Sequence, residues 1–240
     1  MSAREKRLAV LAYHKIGEPP PDGWTTWYYI PAAAFSSQLE YIRDCEWSVI
    51  DLDTMLAGLD APDKLPDRSI LMTFDDGHRS VALPMLCRFG FPAVCFVPTD
   101  YIGGRSTFDA GVEPEEPMCD WDHLRELDRH GVAIQSHGMS YHWFSLMDEN
   151  RQKREVTGSK QVLEEKLGKS VELFAFPYSD GGDEAEVSSA ILQHAGYRAA
   201  FLCGGGLSFG HLPLGDRFRI SRLAVYRDTD LDLELSTEAI

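Results

Sequence analysis

The sequence predicts an α/β fold, a distorted parallel (β/α) barrel, closed or incomplete, in one domain spanning residues 1–240 with its core at about 8–230. Three observations carry this. Short apolar runs alternate with stretches of helical period almost throughout, and parallel neighbours need such crossover connections. Several of these runs stop abruptly at polar residues, as buried strands do where they leave a core covered on both faces. No Gly-x-Gly-x-x-Gly follows a strand and no phosphate-loop motif occurs, which disfavours an open nucleotide-binding sheet.

Composition bounds the function. The chain has 240 residues, 44% hydrophobic and 11% aromatic, enough for one sizeable core and typical of a globular fold. Its net charge of −15 (23 Lys and Arg against 38 Asp and Glu) argues against nucleic acid and anionic membrane surfaces, both of which need clustered cations. No apolar run has the length of a membrane span, so no membrane insertion is expected. Met1–Arg7 is polar, and Leu8–Tyr13 is too short for a signal-peptide core, so a cytoplasmic location is expected. The five cysteines are scattered without a Cys-x-x-Cys pair, which predicts free thiols and no cysteine zinc site. Cys87 and Cys95 lie in apolar surroundings and are expected in the core.

Taken in order, Leu8–His14 is an apolar run ending in a histidine and reads as the first strand. A loop follows at Glu18–Trp27, rich in proline, and its aromatics Trp24, Trp27, Tyr28 and Tyr29 either line a sugar groove or pack on the core. Pro31 opens a helix in which Phe35, Leu39 and Ile42 recur at helical spacing. Trp47–Ile50 reads as a short strand and Asp51–Leu59 as a short helix. Ser69–Phe74 is the central strand, and Val81–Phe89 a helix ended by Gly90. Pro92–Val97 is another apolar run, and Thr99–Asp120, with its glycines, prolines and acidic run Glu113–Glu116, an excursion beside the active edge. Trp121–His130 is a helix, Val132–His137 a strand, Asp148–Leu167 a long amphipathic helix and Val171–Tyr178 a strand. Glu184–His194 is the last helix; Tyr197–Leu202 and Arg219–Tyr226 are the last strands, joined through Gly204–Gly206.

The chemistry concentrates where the central strand ends, at Asp75-Asp76-Gly77. Ligands bind at the C-terminal ends of parallel strands. Two adjacent carboxylates repel each other, and a cation between them and their neighbours relieves that repulsion. Side chains alternate along a strand, so one acid can hold an ion while the other faces water or substrate. The same residues also read as an ordinary Asp-Gly turn. His137 and His142 are five apart, opposite on a strand and about 140° apart on a helix at ~100° per residue. Only a loop bent at Gly138 lets both reach one ion. Two imidazoles and a carboxylate with open positions make a hydrolytic metal site, zinc by default, with Co2+, Ni2+ or Fe2+ also compatible. His14, ending the first strand, reaches the same edge.

Thr-Phe-Asp-Asp-Gly (73–77), Ser-His-Gly-Met-Ser-Tyr-His (136–142) and Phe-Ala-Phe-Pro-Tyr (174–178) together resemble the first three motifs of the polysaccharide deacetylases, carbohydrate esterase family four. The segments Leu11–Ile16 and Phe35–Asp51 also resemble lead-in segments of bacterial members. The resemblance implies a (β/α) barrel and a metal-dependent hydrolase that removes an N-acetyl group from an amino sugar or its polymer. It implies Asp76, His137 and His142 as metal ligands, Asp75 as general base, and the Tyr178 backbone N–H as oxyanion donor. Arg222 is expected to orient Asp75, and His14, Trp121 and Pro177 to contact a carbohydrate substrate. The histidine spacing is one longer than the commonest pattern, resembling some exopolysaccharide deacetylases. The third motif has no arginine, and Ser179 stands where glycine is usual. The C-terminal Leu-x-His motif, whose histidine is the general acid, is absent; His211, in a glycine-rich loop, is the nearest histidine and leaves the acid unassigned. Two alternatives remain at this stage: a cyclic imide or ureide amidohydrolase of the same fold, and a non-catalytic carbohydrate-binding relative.

Overall fold

The computed structural model describes residues 6–79, 82–204 and 216–236, and the backbone of 210–211. Its strands are β1 (Arg7–Tyr13), β2 (Lys15–Ile16), β3 (Tyr29–Ile30), β4 (Ser48–Val49), β5 (Arg68–Phe74), β6 (Ala93–Val97), β7 (Val132–Ser136), β8 (Leu173–Ala175), β9 (Ala199–Cys203), β10 (Gly210–His211) and β11 (Ile220–Ala224). Its helices are α1 (Ala32–Asp44), α2 (Leu52–Asp60), α3 (Ala82–Phe89), α4 (Trp121–Arg129), α5 (Glu149–Leu167), α6 (Ala185–His194) and α7 (Leu231–Ser236).

Seven parallel strands close into a barrel in the order β1, β5, β6, β7, β8, β9, β11. The closing seam is the longest ladder, with β1 and β5 in register from Arg7↔Arg68 to Tyr13↔Phe74. β5 then divides its other edge, pairing β4 through Ser69 and Ile70 and β6 through Thr73 and Phe74. β10 runs antiparallel to the start of β1, with His211 opposite Arg7. That is the N-terminal end of the barrel, away from the strand ends that carry the motifs.

The strand alternation sorts the core into two bodies. Leu8, Val10, Leu71, Val94, Phe96, Leu173, Ala199, Phe201 and Ile220 share one cluster with Met55, Leu56 and Leu59 of α2, so α2 plugs the barrel from below. The opposite faces, among them Leu11, Tyr13, Ile70, Met72 and Phe74, pack under the remaining helices. The inward parity continues past the apolar residues to His14, Asp75, His137, Cys203 and Arg222. A barrel interior filled by aliphatic layers below therefore opens on a polar layer at the top.

Caps set the helix starts where the sequence places them. Asp51, Asp120 and Asp148 accept hydrogen bonds from the first-turn N–H groups of α2, α4 and α5. The strand expected at Val171–Tyr178 is shorter, because Pro177–Ser179 forms a 3₁₀ turn. The helix expected at Val81–Phe89 is described from Ala82, and most of Gly204–Gly206 lies outside the described residues. The Thr99–Asp120 excursion is indeed irregular, with two 3₁₀ turns. It is tied to the early loop by a buried ion pair between Lys15 and Glu113 at 3.0 Å and by the Tyr29 hydroxyl donating to Glu116 at 2.7 Å. All five cysteines are free; Cys95 is buried as expected, but Cys87 is exposed, on the outer face of α3. Among the described residues no helix is long and apolar enough to cross a membrane.

Candidate active site

Asp75 leaves β5 on the inward parity and is buried. Arg222, from β11 across the seam, grips it with two 2.6 Å bonds, one to each carboxylate oxygen. The same guanidinium donates to Thr73 Oγ1 at 2.9 Å and to the Leu202 carbonyl at 3.2 Å, and lies over the Phe96 and Phe201 rings. Arg222 is 0% exposed, so every group it needs is supplied by the barrel interior. Burial by itself pushes the Asp75 carboxyl up, but Arg222, with His137 and His14, outweighs it and holds the group below the usual carboxylate range. The orienting role expected of Arg222 thus has a geometry.

Asp76 would point outward were the strand to continue. Instead it has φ +70° and Gly77 φ +76°, a left-handed turn that brings the second carboxylate back over the barrel mouth. Asp76 Oδ1 lies 3.5 Å from His137 Nε2, and Oδ2 lies 3.3 Å from His78 Nε2. Neither contact has hydrogen-bond geometry: Asp76 Oδ1 and both His78 nitrogens are buried without a partner. His137 Nδ1 sits 2.7 Å from the Ala175 carbonyl, which only accepts, so Nδ1 carries the proton and Nε2 is presented to Asp76. Burial lowers the His137 pKa, but the Asp76 and Asp75 carboxylates more than compensate, and it stands raised.

The loop after β7 bends at Gly138 (φ +77°), as its sequence requires. Glu155 of α5 holds it, accepting the Met139 and Ser140 N–H groups at 2.8 and 2.9 Å. The structure brings two of the three expected ligands, Asp76 and His137, together, and the third, His142, follows the bend. His142 is exposed, its Nδ1 directed to the Ser140 carbonyl at 2.8 Å. Among the described residues no three His, Cys, Asp or Glu side chains close around a point. Between the two histidines Tyr141, at φ +54°, is buried with its ring 5.2 Å from that of His137. One residue of the loop turns inward and its neighbour therefore turns out.

Tyr178 also adopts a left-handed conformation, φ +55°, followed by Ser179 at φ +58°. Its N–H finds no acceptor among the described residues, and its side chain lines the cleft. Asp76, Tyr141, Tyr178 and Ser179 are all the positive-φ non-glycine residues described, and all four are at this site. Such strain, of order 1–3 kcal/mol each, persists only where surrounding structure enforces it.

Asp75, His137, Tyr141, Tyr178 and Ser179 line a cleft of about 270 Å³. One wall is His14, Tyr28, Trp27 and Tyr226, with Trp27 and Tyr28 stacked at 3.6 Å. The other is Tyr141, Tyr178 and Trp143, the last two stacked at 4.5 Å and 4°. His14 Nε2 lies 3.9 Å from Asp75 Oδ2. Of the other expected substrate contacts, Pro177 is buried beneath the turn that presents Tyr178, and Trp121 packs against the core from the first turn of α4; neither lines the cleft. The side chain of His211 is outside the described residues.

Sequence reasoning missed His78, Tyr141 and Glu155. The signal for the first was available: a histidine directly follows Asp-Asp-Gly. Glu155 carried none, because its partner loop is 15 residues away in sequence.

The donor set suits a divalent cation: one buried carboxylate oxygen without a partner, and an imidazole whose Nδ1 is pinned so that Nε2 faces it. Comparison with known proteins agrees with the architecture. The chain superposes on a Streptococcus pyogenes deacetylase solved with acetate, PplD, with a TM-score of 0.80 at 17% identity over 98% of this chain and 100% of that one. IcaB from Ammonifex degensii gives 0.76 at 24% identity over 94% of both chains, and a de-N-acetylase from Aggregatibacter actinomycetemcomitans 0.77 at 19% over 95% of this chain and 98% of that one. The YxkH protein of Bacillus subtilis strain 168, named for the same family, is 22% identical over 181 residues, 74% of this chain, which spans only 59% of that relative's length. The sequence model for polysaccharide deacetylases matches residues 63–200, a stretch running from the lead into β5 to the middle of β9 and holding all three motifs. With the motifs in order, each at the end of its strand of one closed barrel, the chain belongs to the polysaccharide deacetylase family.

Proposed function

We propose that the protein is a hydrolase that removes N-acetyl groups from amino sugars of a carbohydrate polymer, with a divalent cation held by Asp76 and His137. The observation that carries this reading is the pairing of a clamped carboxylate with a second, cation-seeking one at the mouth of the barrel: Asp75 fixed by Arg222, and Asp76 against His137. A cation there, zinc by donor type, would polarise the acyl carbonyl and acidify a water.

The chain's own residues supply the rest. Asp75, buried and kept ionised by Arg222, is the base that accepts the proton of the attacking water. The Tyr178 N–H, in a cleft-lining residue with a strained backbone, is the donor to the oxygen on which charge develops. His14 takes the place of the missing C-terminal histidine. It follows β1, the strand next to β11 in the closed barrel, and its Nε2 stands 3.9 Å from Asp75 Oδ2, in the lining of the cleft. Burial holds its pKa below the usual imidazole value, so the proton it passes to the departing amine nitrogen is the one Asp75 has taken from the water. Trp27 and Trp143, each about half exposed, flank the cleft as flat platforms for sugar rings.

Acetate released from an N-acetylglucosamine oligomer, followed with added Zn2+ or Co2+, tests the reading. Asp75→Asn is expected to lower kcat by about 10²–10⁴-fold, and His14→Gln by a similar factor, each with little change in KM. Full activity in either variant, or no acetate from wild type under any of these metals, overturns it.

A further inference from the structure

We propose that the acidic run Glu113–Glu116 is a strap whose two ends, Glu113 and Glu116, are positioning residues for the Trp27 and Tyr28 wall of the cleft. This rests on the reading that the cleft takes a glycan. Trp27 and Tyr28 form the middle of a turn closed by the Tyr29 N–H donating to the Thr26 carbonyl at 3.3 Å. β2 and β3, beside it, pair over only two residues, Lys15↔Tyr29 and Ile16↔Ile30, a ladder too short to fix the turn by itself. Both corners of the turn are instead tied to the acidic run. The Thr26 hydroxyl donates to Glu113 Oε2 at 2.8 Å, and the Tyr29 hydroxyl to Glu116 Oε1 at 2.7 Å.

A run of acids is ordinarily a solvated surface. Here the Glu113 side chain is 5% exposed and is paired at 3.0 Å with Lys15, itself 7% exposed. Lys15 lies opposite Tyr29 in the short ladder, its ammonium 4.9 Å from the centre of the Tyr29 ring. Charges desolvated in this way add little stability over apolar residues of the same shape; their use here is to hold one geometry. The other end of the same segment reaches the opposite wall. The Glu113 N–H donates to the Asp109 carbonyl at 2.9 Å, Asp109 Oδ1 accepts the Tyr178 hydroxyl at 3.3 Å, and the Phe108 ring stacks on Tyr141 at 3.8 Å. Residues 108–116 therefore tie both aromatic walls, and the distance between the walls follows from their bonds. The Tyr178 side has further anchors, in the Trp143 stack and in the Ser179 hydroxyl that accepts the Cys203 N–H. Besides the strap, the Trp27 ring has edge contacts to Tyr226 and His14. Loosening the strap should thus release the Trp27 wall and leave the Tyr178 wall in place.

Thr26→Val combined with Tyr29→Phe removes both corner bonds and leaves the Lys15–Glu113 pair and the side-chain shapes as they are. Acetate release from an N-acetylglucosamine pentamer, with added Zn2+ or Co2+, is the readout, and thermal unfolding checks that the variant is folded. KM is expected to rise about tenfold with kcat within about twofold of wild type, because the wall binds sugar equally in the ground and transition states. Added to Trp27→Ala, the two substitutions are expected to raise KM no further, since they act through that ring. Should the double variant not fold, Thr26→Val alone carries the same comparison, with a rise of about threefold. An unchanged KM, a fall in kcat in its place, or effects that add in full to Trp27→Ala overturn the strap while leaving the deacetylase reading in place. No acetate from the wild type under either metal overturns that reading and this one with it.

Discussion

Arg222 and Asp75 are the clearest case of a pair that neither residue's neighbours in sequence explain. Each is buried, and each would be an uncompensated charge alone. Arg222→Gln is therefore expected to cost about 3–5 kcal/mol in urea unfolding at neutral pH. The sign of the pH effect follows from the folded-state carboxyl being held down. Asp75 contributes stability above the unfolded carboxylate pKa of about 3.9, lost as pH falls through its lower folded value. The stability difference between variant and wild type should accordingly shrink in acid. Without Arg222 the burial that pushes Asp75 up is opposed less, so the acid limb of kcat/KM moves to higher pH; an unmoved limb would mean that Asp75 is not the group seen titrating.

At the scale of elements, the site is made by turns placed where strands stop. The turn after β5 depends on Gly77, at φ +76°, where a Cβ would lie 2.7 Å from Val97 Cγ1 on β6. Gly77→Ala combines a left-handed backbone with overpacking, about 2–4 kcal/mol together. Because the same turn aims Asp76, the variant should lose Zn2+ affinity as well as stability, measured by titration of the folded fraction. The turn after β8 obeys a related rule: Ser179, where glycine is usual in the family, still takes φ +58°, and its hydroxyl accepts the Cys203 N–H at 2.8 Å. That bond to β9 supports a conformation that the side chain by itself disfavours.

For the molecule as a whole, closure is what lets a seven-stranded barrel carry a site. β1 and β11 lie far apart in sequence but adjacent in the barrel, so His14 and Arg222 both reach Asp75 from the β1 edge of β5. A cation at Asp76 and His137 adds its binding free energy to the folded state alone. At a free concentration 100-fold above Kd that is about 2.7 kcal/mol, so a chelator should lower Tm by about 5–10 °C in a chain of this size. A Tm indifferent to chelator and to added Zn2+ would argue against any resident cation.

The sequence by itself determined the strand and helix order, the strand ends on which chemistry sits, and the bends at Gly77 and Gly138. These are local: apolar runs, caps and glycines act through neighbours within a turn or two. The register in which β1 closes on β5, the two-bond grip of Arg222 on Asp75, the 3.9 Å approach of His14 to it, and the inward turn of Tyr141 were decided only by the tertiary structure. The physical reason is the same for each. Which side chain enters a buried site depends on strand parity and on what already fills the space, and for Asp75 the partner that decides it lies 147 residues away in the chain.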